Sequence, residues 1–106
     1  MYKISKVHPG EILKTEFLDP LGISAYRLAK DINVPTNRIT EIINRHRNIS
    51  VETALLLAKY FNLSDSFWIR VQAKYDEDIT KEKIFDHLIT VHPFIDLKKC
   101  ATSAID

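Results

Sequence analysis

Thr36, Asn37, Arg38, Thr40 and Glu41 crowd five polar side chains into one short stretch, TNRITEIIN, whose remaining positions are apolar except for Asn44. These side-chain types can read base edges in a DNA major groove. Asn pairs bidentately with adenine, Arg with guanine, Glu accepts from the cytosine amino group, and a Thr methyl meets a thymine methyl. Each good bidentate pair discriminates by roughly 1–3 kcal/mol. Around them stand groups suited to phosphate: Ser24, Tyr26 and Arg27 on one side, Asn44, Arg45 and Arg47 on the other. Ser24 also has a purely structural role as a helix cap, and a solvated face is the ordinary role of an isolated surface Arg.

For these groups to act together, two short helices must meet at a fixed angle. Ser24 is a good N-cap, and Ala25, Leu28, Ala29 and Ile32 then recur with helical period. Asn33 tolerates the left-handed conformation that turns the chain, and Val34 plugs the turn. Pro35 sets the entry to a further helix over 36–44, whose apolar positions are Ile39, Ile42 and Ile43. Small Ala29 suits a close helix crossing. This spacing is that of a helix-turn-helix unit, with the second helix offered to the major groove. The basic connector Arg45-His46-Arg47-Asn48 extends that surface, so the functional stretch runs from Ser24 to Arg47.

The rest of the chain predicts supporting helices. His8-Pro9-Gly10 reads as a helix entry and Ile12, Leu13, Phe17 and Leu18 as one apolar stripe, giving a helix over 9–18 that Pro20 ends. Ser50 caps a helix over 51–61 that is apolar nearly all round and therefore central. Ser64 caps the next, striped by Phe67, Trp68, Val71 and Tyr75 to about residue 75. Phe67 and Trp68 are adjacent, so one fills the core while the other is partly exposed and available to a dimer contact. Residues 76–83, DEDITKEK, read as an exposed charged link, and Ile84, Phe85, Leu88 and Ile89 as a short sixth helix before Val91-His92-Pro93. The apolar content of the tail, with Phe94, Ile95 and Leu97, argues against simple disorder and leaves packing, dimerisation and partner contact open.

Composition bounds the function. The 106 residues suit one compact domain and a tail, and the net charge of +1 is unevenly spread. Residues 1–47 carry eight Lys/Arg against five Asp/Glu, whereas residues 48–106 carry seven against nine. A basic half suits phosphates and an acidic half a basic partner, and a mixed surface accounts for the same numbers. Cys100, the only cysteine, cannot form an internal disulfide. No apolar run spans a membrane and no signal peptide is visible, so a cytoplasmic protein is expected. The four histidines, at positions 8, 46, 87 and 92, are scattered, and two glycines cannot build a phosphate loop. Neither a metal, another cofactor nor an enzyme activity is expected.

HPGEIL, the PLG-S-YRLA run, VP-NRI-EI-N, IS-TALLLA-YF and FW…Q-YD stand in order across roughly residues 7–76. Together they resemble the HigA antitoxin family, within the lambda-repressor-like helix-turn-helix proteins. The resemblance implies an all-α, five-helix domain over 7–76; residues 77–106, with the short sixth helix read above, form an extension to which the resemblance assigns nothing. It also implies a homodimer on double-stranded, palindromic operator DNA, repression of its own operon, and a HigB-like mRNA-cleaving toxin as partner. Members often carry glycine after the Asn matching Asn44. Arg45 stands there, making that loop stiffer and more basic. Two other readings stay open: a helix-turn-helix regulator without a toxin, and an interaction module that no longer binds DNA.

Overall fold

His8 starts the first helix. Its Nδ1 accepts a hydrogen bond from the Gly10 N–H at 2.9 Å, Pro9 follows where no N–H is needed, and Glu11 sits in the first turn. The computed structural model describes residues 7–94; residues 1–6, Ile95, Leu97 and Cys100 lie outside them. From Pro9 the chain runs as one rod in three sections: α1 (Pro9–Ile12), a π-helical turn (Leu13–Leu18) and α2 (Asp19–Leu21). The expected stop at Pro20 is therefore corrected. Asp19 is fully helical, at φ −63° and ψ −49°, although a proline follows. In the wide turn its N–H bonds the Lys14 carbonyl five residues back, so the rod absorbs a ring that brings no N–H of its own. Gly22, left-handed at φ 68°, ends it.

Four further helices complete the fold, α3 (Ala25–Ile32), α4 (Thr36–Ile43), α5 (Val51–Tyr60) and α6 (Phe67–Lys83), followed by the short α7 (Phe85–Leu88). The described residues are thus all-helical, as expected, including the sixth helical segment near residues 84–89. Two boundaries differ from expectation. Ser64 does not cap α6, which begins three residues later after a turn in which the Phe67 N–H bonds the Ser64 carbonyl. The charged segment 76–83 is not a link but the second half of α6. Its charges fall at helical spacing, with Lys74 pairing Asp78 at 3.1 Å and Lys81 pairing Glu77 at 3.5 Å. Position 76 consequently lies inside a continuous helix.

α3 packs on α4, α5 on α6, and α1 on both α4 and α6. Leu13, Leu28, Ala29, Ile39, Ile42, Leu57, Ala58 and Trp68 are wholly buried between them. Of the adjacent aromatics, Trp68 fills the core and Phe67 is half-buried against it. Phe17 stacks on both Phe61 and Trp68, with ring centroids 4.8 and 5.1 Å apart. No described helix is long and apolar enough to cross a membrane.

α1 comes so close to α4 that a side chain cannot fit between them. A Cβ on Gly10 would lie 1.8 Å from the Ile42 carbonyl oxygen. The first helix therefore seats directly on the backbone of the helix that carries the candidate base-reading residues.

Candidate nucleic-acid interface

Local chemistry sets the angle between α3 and α4. Ser24 caps α3, its Oγ accepting from the Arg27 N–H at 3.0 Å. At the other end Asn33 is left-handed at φ 61°, its N–H bonding the Lys30 carbonyl, and the Val34 N–H bonds the Ala29 carbonyl. This is a Schellman closure, and Val34 packs against the core as its hydrophobic contact. Buried Ala29 and Ile39 then hold the two helices together, and Pro35 precedes α4 in extended conformation.

The spacing of Asn37, Thr40, Glu41 and Asn44 puts them on one side of α4, opposite Ile39 and Ile42. Asn37 and Asn44 are exposed, while Thr36, Arg38, Thr40 and Glu41 are partly so. Thr40 and Asn44 also line a cleft of about 310 Å³ together with Ser24, Lys14 and Asp19. Expected backbone-binding and base-reading residues thus meet in one concavity. Lys14, which the sequence pattern did not single out, joins them from the π-helical turn, where it pairs with Asp19 at 3.0 Å.

α4 ends unusually. The same Schellman closure recurs after α2, α3 and α5, with Gly22, Asn33 and Asn62 as the left-handed residue and Ile23, Val34 and Leu63 next in line. After α4 the left-handed residue is Arg45, at φ 66°, and His46 follows it. A left-handed residue with a Cβ costs about 1–2 kcal/mol. Arg45 therefore holds a costly conformation, and its guanidinium lies 3.7 Å from Glu11.

Two more arginines are held by carboxylates. Arg47 donates to Glu41 from Nε at 2.8 Å, and its Nη2 pairs with the same oxygen at 2.7 Å. Arg27 donates to Asp31 at 2.8 Å, and the Tyr60 hydroxyl of α5 donates to the same oxygen at 2.6 Å. The Tyr60 bond, then that of Arg27, holds the Asp31 carboxyl below its ordinary range, and Asp31 in turn pushes the Tyr60 phenol up. Arg27 and Tyr26 thus present from α3 with only Arg27 constrained. Tyr60 and Asp31 were not among the expected site residues, because a network joining residues 29 positions apart leaves no local signal.

Two buried groups brace this surface from behind. Gln72 of α6 accepts from the Ile49 N–H at 2.7 Å and donates to Asp76 at 3.0 Å, anchoring the far end of the basic connector. His8 packs edge-on against Tyr75, ring centroids 5.0 Å apart. Burial lowers its pKa, the charge of Arg45 adds to this, and Asp76 opposes it.

Comparison with known proteins agrees with this fold. Residues 15–68 match the helix-turn-helix family. Virulence-associated protein I of Dichelobacter nodosus is 46% identical over 70 residues, which are 66% of this chain and 65% of that protein, so the chain spans just under two thirds of its length. An HTH-type transcriptional regulator of Haemophilus influenzae is 35% identical over 91% of this chain and 92% of its own. Antitoxin HigA-1 of Vibrio cholerae is 31% identical over 90% of both. Among solved structures, Pseudomonas aeruginosa antitoxin HigA with its higBA promoter superposes with a TM-score of 0.81 at 30% identity, over 86% of this chain and all of that one. An addiction module antidote protein of the HigA family from Coxiella burnetii does so at 0.78 and 40% identity, over 84% and 98%.

Proposed function

Since the chain belongs to the helix-turn-helix family, in its HigA-type antitoxin group, we propose that it is a cytoplasmic, sequence-specific DNA-binding antitoxin. It binds double-stranded operator DNA as a homodimer, represses its own operon and neutralises a HigB-like toxin. One observation carries the DNA-binding part: the outward polar face of α4 meets Ser24 and Lys14 in one cleft, with Arg47 of the connector tied to its Glu41. Thr36, Asn37, Arg38 and Thr40 face base edges, while Ser24, Tyr26, Arg27, Asn44, Arg45 and Arg47 contact the backbone. A single α4 covers few base pairs, so two copies read two half-sites about one helical turn apart. The solved Pseudomonas relative, which is held with its promoter, supports this mode of action.

The test combines two measurements. Replacing Thr36, Asn37 and Thr40 together by Ala should abolish binding to DNA from the chain's own promoter while leaving the helical fold intact. Retained binding would refute the base-reading assignment. For the toxin, the product of the adjacent small reading frame should co-purify with this chain and lose its mRNA cleavage.

A second reading is a helix-turn-helix regulator with no toxin. The Haemophilus regulator, matched over nearly the whole chain, favours it. Failure of any neighbouring product to co-purify, with operator binding retained, selects this reading.

A further inference from the structure

We propose that Glu41 is a positioning residue, which holds Arg47 ready to grip a DNA phosphate and does not itself read a base. This rests on the DNA-binding function proposed above. Glu41 holds the connector twice. Its backbone carbonyl accepts the His46 N–H at 2.8 Å, and one carboxylate oxygen accepts the Nε–H of Arg47 at 2.8 Å and pairs with its Nη2 at 2.7 Å. Just before those two ties the chain passes through left-handed Arg45. Beyond Arg47 it is fixed again, where the Ile49 N–H meets Gln72. Arg47 is thus held at its backbone on both sides and at its side chain in the middle.

The donor inventory gives this arrangement its use. A guanidinium carries five N–H donors in a planar fork. Glu41 takes one edge of it, and three donors remain for a phosphate oxygen, with the rotamer already chosen. The charge argument points the same way. A bare carboxylate on the groove-facing side of α4 is repelled by the phosphates on both flanks. Paired to Arg47 it is neutralised, and Glu41 could accept from cytosine only by releasing the arginine. Both side chains remain substantially exposed, so the pair contributes little to fold stability. Its value therefore lies in binding.

The test is a double-mutant cycle on the full chain: wild type, Glu41→Ala, Arg47→Ala and the double variant. Each is titrated against a duplex from the chain's own promoter and its single-base-pair substitutions, at several salt concentrations. Arg47→Ala should weaken binding by a similar factor on every duplex, and lower the slope of log affinity against log salt by about 1. Glu41→Ala should weaken all duplexes alike, and the double variant should bind no worse than Arg47→Ala. Thermal melting of Glu41→Ala should stay within about 4–8 °C of wild type, as for loss of an exposed surface pair. The inference is overturned if Glu41→Ala instead relaxes discrimination at one base pair by roughly 5–150-fold, the value of a direct base contact. It is equally overturned if the two losses add. Those outcomes leave the DNA-binding function standing. Absence of specific binding by wild type overturns both.

Discussion

Replacing Gly10 by Ala tests how the reading helix is seated. In the first turn of a helix this change is ordinarily favourable, since Ala exceeds Gly in helix propensity by up to about 1 kcal/mol. Here the sign reverses. The added Cβ would stand 1.8 Å from the Ile42 carbonyl oxygen, 2.6 Å from its carbon and 3.1 Å from the Ile43 Cα. All three are backbone atoms, so no side-chain rotation relieves the clash. Real Cβ contacts essentially never fall under 3.0 Å, so α1 must retreat from α4 by more than an ångström. Overpacking of this kind costs typically about 1–3 kcal/mol, and the 2.9 Å cap between the Gly10 N–H and His8 is strained with it. A net loss of about 2 kcal/mol lowers the melting temperature of a domain this size by about 8–16 °C. Circular dichroism melts of Gly10→Ala and wild type measure this directly. Gly22→Asn serves as control, because Gly22 is needed only for its left-handed backbone and has open space around it. A Gly10→Ala protein melting at or above the wild-type temperature would refute the direct backbone seating of α1 on α4.

Other perturbations probe the parts around it. Arg45→Gly should raise stability by about 0.5–1 kcal/mol in urea titrations, through relief of a left-handed residue offset by a more flexible unfolded chain, yet weaken operator binding. Equal or lower stability would show that Arg45 is not strained. His8 is neutral in the fold, because burial lowers its pKa and its Nδ1 must accept from Gly10. The unfolded chain, with an ordinary pKa near 6.5, binds the proton more readily, so this stability is complete above about pH 6.5 and lost as pH falls below it. Denaturation at pH 7.5 and 5.0 should show the drop, and His8→Asn should flatten it in that window. Gln72→Leu strands the Ile49 N–H in a buried place and should cost about 1–3 kcal/mol, read as a lower denaturation midpoint.

The helix pair itself was legible because its signals are local. Ser24, Asn33 and the period of Leu28, Ala29 and Ile32 all act within a few residues, and the structure places each as expected. The misread stretches failed for physical reasons. Pro20 usually stops a helix, and only the wide π-helical turn before it lets the rod continue to Gly22. Charge alone makes residues 76–83 look solvated, although their i,i+4 spacing favours helix, and Asp78 proves buried. Other features had no sequence signal. Nothing about an arginine marks position 45 as left-handed. The ties from Glu41 to Arg47, Asp31 to Tyr60 and Ile49 to Gln72 cross turns or helices, where no periodicity runs. Gly10 was visible only as a glycine in a place where glycine is unfavourable.

The account stands most directly on one titration. The full chain is mixed with a duplex from its own promoter and with a scrambled duplex of equal length, at salt concentrations between 50 and 200 mM, on the order of the range in which counterion release is strong. The expected result is promoter binding tighter by about 10³-fold or more, falling linearly in log affinity against log salt. Equal affinity for the two duplexes, or no dependence on salt, would contradict the assignment of α4 and its flanking arginines as a DNA-reading surface.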